Sequence, residues 1–272
     1  MTNPAVRAPA VAGAFYPGDA ITLAADVRSL LADAPRGTEQ RPPKALIAPH
    51  AGYIYSGSTA ADAYARLAPW RDAIRRVVLL GPTHRVPVRG LAASSAEFFA
   101  TPLGQVRLDR AALEALADLP QVVVSDPVHA WEHSLEVHLP FLQTVLGDFS
   151  LLPLAVGHAT PEEVAEVIDR LWGGPETLFV VSSDLSHYLA YASARQTDRA
   201  TCERILQLDP AIDPHQACGA YPINGLLLAA RRHGLQPEMI HLCNSGDTAG
   251  DKERVVGYAA FAFYGQEGKE NV

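Results

Sequence analysis

The feature that most constrains this chain is a set of short β-branched and aliphatic runs, at 44–48, 76–80, 121–124, 150–156, 177–182, 238–242 and 254–264. Several are apolar at consecutive rather than alternate positions. A strand that is apolar on both faces needs a covering layer on each, the condition of a buried, largely parallel sheet. Helical signals alternate with these runs. Asp19 can cap a helix whose stripe carries Leu23, Val27, Leu30 and Leu31. Ala-rich 58–67 and amphipathic 109–116 follow. Thr160-Pro161-Glu162-Glu163 opens another helix: Thr160 caps, Pro161 suits the first turn and Glu163 can reach back in a capping box. Segments 194–208 and 223–233 complete the set, the last stopped by Gly234. This alternation predicts an α/β/α sandwich with a mostly parallel or mixed central sheet. The long aromatic run 254–264 is expected to pair antiparallel, at an edge or in a hairpin.

Composition narrows the class further. The 272 residues are 48% apolar and carry a net charge of −8, with basic residues only in scattered pairs such as Arg75-Arg76 and Arg231-Arg232. A core is affordable and a nucleic-acid footprint is excluded. The opening Met-Thr-Asn-Pro-Ala-Val-Arg has no signal-peptide pattern. The longest apolar run, 255–264, is half the length of a membrane span and is broken by Gly257. Three cysteines, Cys202, Cys218 and Cys243, are too few and too uneven for a disulfide framework. These features predict a cytoplasmic protein of one domain over 1–272, with its core at about 9–264 and a polar tail at 265–272.

Three strands end in dense polar punctuation. Segment 44–48 runs into Pro49-His50-Ala51-Gly52-Tyr53, 77–80 into Gly81-Pro82-Thr83-His84, and 178–181 into Ser182-Ser183-Asp184-Leu185-Ser186-His187. In open α/β sheets ligands bind beyond the carboxyl ends of the strands. His50, His84 and His187 are therefore expected to share one site, as metal ligands or as ligands plus a base. Asp184 can orient an imidazole, ligate, or cap its turn. Cys218 precedes a turn and a helix, where the dipole favours thiolate, the form that binds metal or attacks carbon. In Trp131-Glu132-His133-Ser134-Leu135-Glu136-Val137-His138, the two histidines are five apart. A helical zinc-protease motif needs them four apart. His133 and Glu136 would share a helical face and are candidates for lining the pocket. No serine-hydrolase elbow, phosphate-binding loop or dinucleotide fingerprint is present, so no nucleotide cofactor is expected.

The blocks GAFYPGD, APHAGYIYSG, LGPTH, EHSLEVHLPFL, VVSSDLSH and CGAYPI, in that order, resemble the Memo family. Its bacterial and archaeal members are called AmmeMemoRadiSam system protein B. The likeness covers about 9–264 and implies a fold similar to the class III extradiol ring-cleaving dioxygenases. In those enzymes two His and a Glu hold non-haem Fe(II) and a further His is the acid/base. The resemblance implies His50, His84 and Cys218 as metal ligands, with Asp184 and His187 as catalytic pocket residues. Family members often carry His-His after Gly-Pro. Here His84 is followed by Arg85, which leaves one ligand candidate and puts a positive charge at the rim.

These features imply a metal-dependent oxidoreductase acting on a small substrate, with Fe(II) as the first expectation and Cu or Zn as alternatives. Arg85, His133, Glu136 and Tyr53 are candidate substrate contacts. A peptide- or protein-binding module on the same fold is the second reading. A metal-free cysteine hydrolase, with Cys218 as nucleophile and His50 or His187 as base, is the third. The family name alone suggests radical-SAM and AMMECR-like partners, and no membrane association is expected.

Overall fold

The computed structural model describes residues 5–35, 37 and 41–265; most of the polar tail at 265–272 lies outside them. In chain order the elements are β1 (Val6–Arg7), α1 (Ala20–Asp33), β2 (Ala45–Ala48), α2 (Tyr53–Ala65), β3 (Arg76–Pro82), β4 (Leu91–Ala93), β5 (Phe98–Thr101) and β6 (Gly104–Arg107). Then come α3 (Arg110–Glu114), β7 (Val122–Val124), α4 (Asp126–Ala130), α5 (Leu139–Val145), β8 (Ser150–Val156), α6 (Pro161–Arg170) and β9 (Thr177–Ser182). The chain closes with β10 (His187–Leu189), α7 (Tyr191–Leu206), α8 (Ala220–His233), β11 (Gln236–Asn244) and β12 (Val255–Tyr264).

The main sheet has nine strands, ordered β10-β12-β2-β9-β3-β8-β4-β7 with β11 paired to β12. Its heart is four parallel strands, β2, β9, β3 and β8. Successive residues in them go to opposite faces. Ile47, Val78, Leu80, Phe179 and Val181 pack with Val164 and Ile168 of α6 and Ile223 and Leu226 of α8. Leu46, Val77, Leu79, Leu178 and Val180 pack with Leu23 and Val27 of α1, Tyr64 of α2 and Phe141 and Leu142 of α5. Burying each such side chain contributes about 1.5–3 kcal/mol, which is why the doubly apolar runs lie at the centre. Strand β12 pairs antiparallel with β11 as a hairpin, and its other side pairs antiparallel with β2, so the sheet is mixed.

The local signals act as their chemistry dictates. Asp19 accepts from the Thr22 N–H at 2.9 Å. Thr160 and Glu163 form the reciprocal capping box of α6. Gly234 ends α8 at φ 67° in the left-handed region. Among the described residues no helix is long and apolar enough to cross a membrane, and Cys202, Cys218 and Cys243 are unpaired.

The order β2-β9-β3 matters most for function. His50 follows β2, Asp184 and His187 follow β9, and His84 follows β3, so the carboxyl ends of three adjacent parallel strands deliver all four residues to one edge.

Candidate metal centre

His50 is buried, and its ring orientation follows from a chain of hydrogen bonds. The Ser182 hydroxyl donates its one proton to the Ser134 carbonyl at 2.6 Å. Towards His50 Nδ1, also at 2.6 Å, it can only accept. Nδ1 therefore carries the proton and Nε2 keeps its lone pair. Burial, reinforced by His84, His133, His138 and His187, holds His50 well below the usual imidazole range, so the ring is neutral and able to ligate.

His84 is oriented in the same way by a carboxylate. Its Nδ1 donates to Glu132 Oε1 at 2.9 Å and its backbone N–H to Glu132 Oε2 at 2.5 Å. Glu132 also accepts the backbone N–H groups of His133 and Ser134, at 2.9 and 3.0 Å. Burial alone would raise this carboxyl, but the His84 side chain and these N–H groups hold it down at about 2. An ionised Glu132 is acceptor-only, so His84 Nε2 is the free nitrogen. A carboxylate or carbonyl behind the imidazole is the usual support of a ligating histidine.

His133 completes a group of three. One ring nitrogen from each of His50, His84 and His133 lies within 4.8 Å of the others. The rings of His84 and His133 stack at 4.7 Å, and His50 stands edge-on to both, at 5.2 and 5.5 Å. His133 Nδ1 is buried without a hydrogen-bond partner, although Glu132 Oε1 lies 3.4 Å away. Burial, then His84, brings His133 to about 4, again neutral. Three clustered imidazoles, with His50 and His133 kept neutral by burial and with the Nδ1 atoms of His50 and His84 tied to fixed partners, fit a metal ion, since only a deprotonated ring nitrogen ligates. His84 is the most exposed of the three and stands at the mouth, with Arg85 exposed beside it.

Cys218 reaches the same place from the turn before α8. Its Sγ lies 3.4 Å from His50 Nε2 and accepts the Asp184 N–H at 3.3 Å. Cys218 N–H donates to the Asp184 carbonyl, and Gly219 N–H to Ser183 Oγ at 2.9 Å. Gly219 is required by close approach: a Cβ there would sit 2.5 Å from the Ser182 carbonyl oxygen and 2.6 Å from Ser183 Cβ. Burial, then the Asp184 charge, pushes the Cys218 thiol far up. Asp184 accepts the His50 backbone N–H at 2.8 Å, its Oδ2 lies 4.0 Å from His50 Nε2, and burial raises it to about 7. His187 Nδ1 donates to the Leu185 carbonyl at 2.8 Å, which leaves Nε2 as its free acceptor.

Two expected pocket residues face elsewhere. The segment around His133 is irregular, with a 3-10 turn at Glu136–His138 before α5, so His133 and Glu136 do not share a helical face. Glu136 is fully buried and its carboxylate is taken up by Arg7, the N–H groups of Ala10 and Val11, and the Tyr16 hydroxyl. Tyr53 Oη donates to the Val137 carbonyl at 2.7 Å while its ring packs on Phe141. Both residues anchor the wall behind the site. Glu132, Ser134 and Ser182, which orient the histidine rings, are not among the residues that the sequence pointed to. The adjacency of Glu132 to His133 was the one available signal.

An α/β protein with a cluster of histidines at the carboxyl edge of its parallel strands is the class these observations define. The family profile described as Memo-like protein matches residues 7–262. The chain is 37% identical to a MEMO1 family protein of Aeropyrum pernix, over 94% of this chain and 98% of that one. It is 38% identical to one of Methanosarcina barkeri, over 94% and 98%, and 35% identical to one of Aquifex aeolicus, over 95% and 99%. Among solved structures it is similar to an uncharacterized protein, JW3007, of Escherichia coli K12, with a TM-score of 0.49 and 14% identity over 81% of this chain and 99% of that one. The chain belongs to the Memo family.

Proposed function

We propose that this protein is a metal-dependent oxidoreductase acting on a small substrate in the reducing cytoplasm, with its ion held by His50 and His84 and completed by His133 or Cys218. The observation that carries this reading is the fixed protonation of His50 and His84. Ser182 and Glu132 occupy the Nδ1 side of the His50 and His84 rings, which leaves Nε2 of each for an ion, and His133 offers a ring nitrogen in the same group of three within 4.8 Å. Imidazoles, with or without a thiolate, suit Fe, Cu or Zn. A bound Fe(II) or Cu ion supplies one-electron chemistry that no side chain here can provide.

The chain's own residues supply the rest. His187, kept below the usual imidazole range by burial and by His84, is neutral near pH 7 and offers Nε2 as a proton acceptor. Asp184, near 7, holds the His50 backbone through one carboxylate oxygen, while the other lies 4.0 Å from His50 Nε2. Arg85 gives the rim a positive charge suited to an anionic group on the substrate.

The Cys218–His50 contact would also be the start of a thiol nucleophile, but the energetics oppose it. Burial drives the thiol up and the imidazole down, so the proton stays on sulfur and no thiolate–imidazolium pair forms. A metal ion, by contrast, displaces that proton on binding. Elemental analysis of protein purified without added metal, with His50→Ala, His84→Ala, His133→Ala and Cys218→Ala beside it, tests the reading. Wild type is expected to retain Fe or Cu, His50→Ala and His84→Ala to lose it, and the other two variants to identify the third donor. Equal occupancy in wild type, His50→Ala and His84→Ala would refute the site.

A further inference from the structure

All three imidazoles are oriented from one short stretch of chain. Glu132 fixes the ring of His84, His133 is itself a member of the group, and the Ser134 carbonyl fixes Ser182, which fixes His50. Ser134 Oγ further ties this stretch to β3 through the Pro82 carbonyl at 2.7 Å. The stretch is not part of a regular helix or strand, so no ladder of backbone bonds holds it in place.

A guanidinium from the start of the chain holds it instead. Arg7, in β1, is buried, and its donors diverge onto 129–136. Nε donates to the His129 carbonyl at 3.0 Å, Nη2 to the Glu132 carbonyl at 2.6 Å, and Nη1 to the Glu136 carboxylate. Glu136 in turn gathers the N–H groups of Ala10 and Val11, at 2.7 and 3.0 Å, and the Tyr16 hydroxyl at 2.5 Å. Phe15, next to Tyr16, lays its ring 4.8 Å from that of His133, and its carbonyl receives the Tyr53 N–H. The planar fork of Arg, with donors in fixed directions, suits three acceptors spread along a loop; a Lys ammonium cannot reach all three in that arrangement.

We propose that Arg7 is a positioning residue of the metal centre: through the Glu132 backbone and Glu136 it sets where Glu132, His133 and Ser134 stand, and so how His84 and His50 present their nitrogens. This inference rests on reading the site as a metal centre. It adds that residues 7–16, remote in sequence from His50, His84 and Cys218, are a strap that determines the centre's geometry.

The test uses Arg7→Lys, which keeps a cation beside Glu136 but loses the fork. A double variant, Arg7→Met with Glu136→Gln, removes the buried pair without leaving one charge alone. Two readouts are taken on folded protein. In metal-free protein, long-range ¹⁵N NMR reports the tautomer of His84. Titration with Co(II) reports affinity and the visible ligand-field bands. Wild type is expected to show a single Nδ1–H tautomer of His84. Arg7→Lys is expected to show a tautomer mixture, and Co(II) affinity lower by about 10–100-fold with shifted bands. A variant that melts earlier but keeps the single tautomer, with Co(II) affinity within about twofold of wild type, overturns the proposal and leaves Arg7 a purely structural residue. If wild type binds no Co(II), the metal reading fails, and the tautomer comparison still decides whether Arg7 positions His84. If Arg7→Lys does not fold, the double variant is read by the same two criteria.

Discussion

Replacing Glu132 by Gln keeps the shape of the side chain and removes its charge. The carboxylate receives four donors, His84 Nδ1 and the N–H groups of His84, His133 and Ser134. These hold its pKa at about 2 against an ordinary 4.5. At 1.36 kcal/mol per tenfold change in proton affinity, the native fold favours the ionised form by about 3 kcal/mol. Because the folded value lies below the unfolded one, this contribution is fully present above about pH 4.5 and is lost as pH falls towards about 2. The Gln amide oxygen can keep some of the donors, but its NH₂ group must then confront another N–H. The net cost at pH 7 is about 2–3 kcal/mol, or roughly 5–10 °C in Tm at about 2–4 °C per kcal/mol. Urea unfolding of metal-free wild type and Glu132→Gln, at steps from pH 7 to pH 2.5, measures the gap directly. Metal titration at pH 7 is expected to show an affinity about 10–100-fold lower, since a ligating imidazole has lost its carboxylate. A stability gap below about 0.5 kcal/mol at pH 7, or one that does not narrow on acidification, would refute the electrostatic account of Glu132.

Gly219→Ala places a Cβ against the Ser182 carbonyl and Ser183. It is expected to cost about 1–3 kcal/mol by denaturant unfolding and to weaken metal binding; wild-type values for both would show the close approach to be dispensable. Thr160→Ala removes one arm of the capping box of α6 and is expected to cost about 1 kcal/mol without changing metal content. His241 is raised to about 9, first by its hydrogen bond to Cys243 and then by Asp62. Its contribution to stability is therefore present below pH 6.5 and lost as pH rises through about 9. An NMR titration is expected to show its midpoint fall in Asp62→Asn, which removes the hydrogen-bonded carboxylate, and an unchanged midpoint there would contradict that pairing.

The sheet was legible because its strands are buried on both faces. The runs at 150–156 and 177–182 coincide with β8 and β9 residue for residue. Strands β1, β4, β5 and β6, of two to four residues each, carry too little pattern to be recognised. Helix α2 starts at Tyr53, five residues before the Ala-rich stretch. Aromatic and β-branched residues and Gly57 argue against helix there, yet Gly57 lies against Leu30 and Tyr53 in the packing with α1, and tertiary contact prevails. The placement of His50, His84, Asp184, His187 and Cys218 at one edge was legible because each follows a strand or precedes a helix. Glu132, Ser134 and Ser182 act by fixing protons on other residues. Their role depends on contacts across 48 positions or more of sequence, between His84 and Glu132, Ser134 and Ser182, and His50 and Ser182, which no local pattern encodes.

The interleaving of β9 between β2 and β3 divides labour along that edge. His50 and His84 hang from strands two rungs apart, a span of roughly 10 Å fixed by hydrogen-bonded ladders that cannot slide. The middle strand steadies one of the two: Ser182 at its end holds the His50 ring, and Asp184 just beyond it holds the His50 backbone N–H. A substitution at Ser182 or Asp184 is therefore felt first at His50, while the grip of Glu132 on His84, on the far side of the same edge, is left as it was.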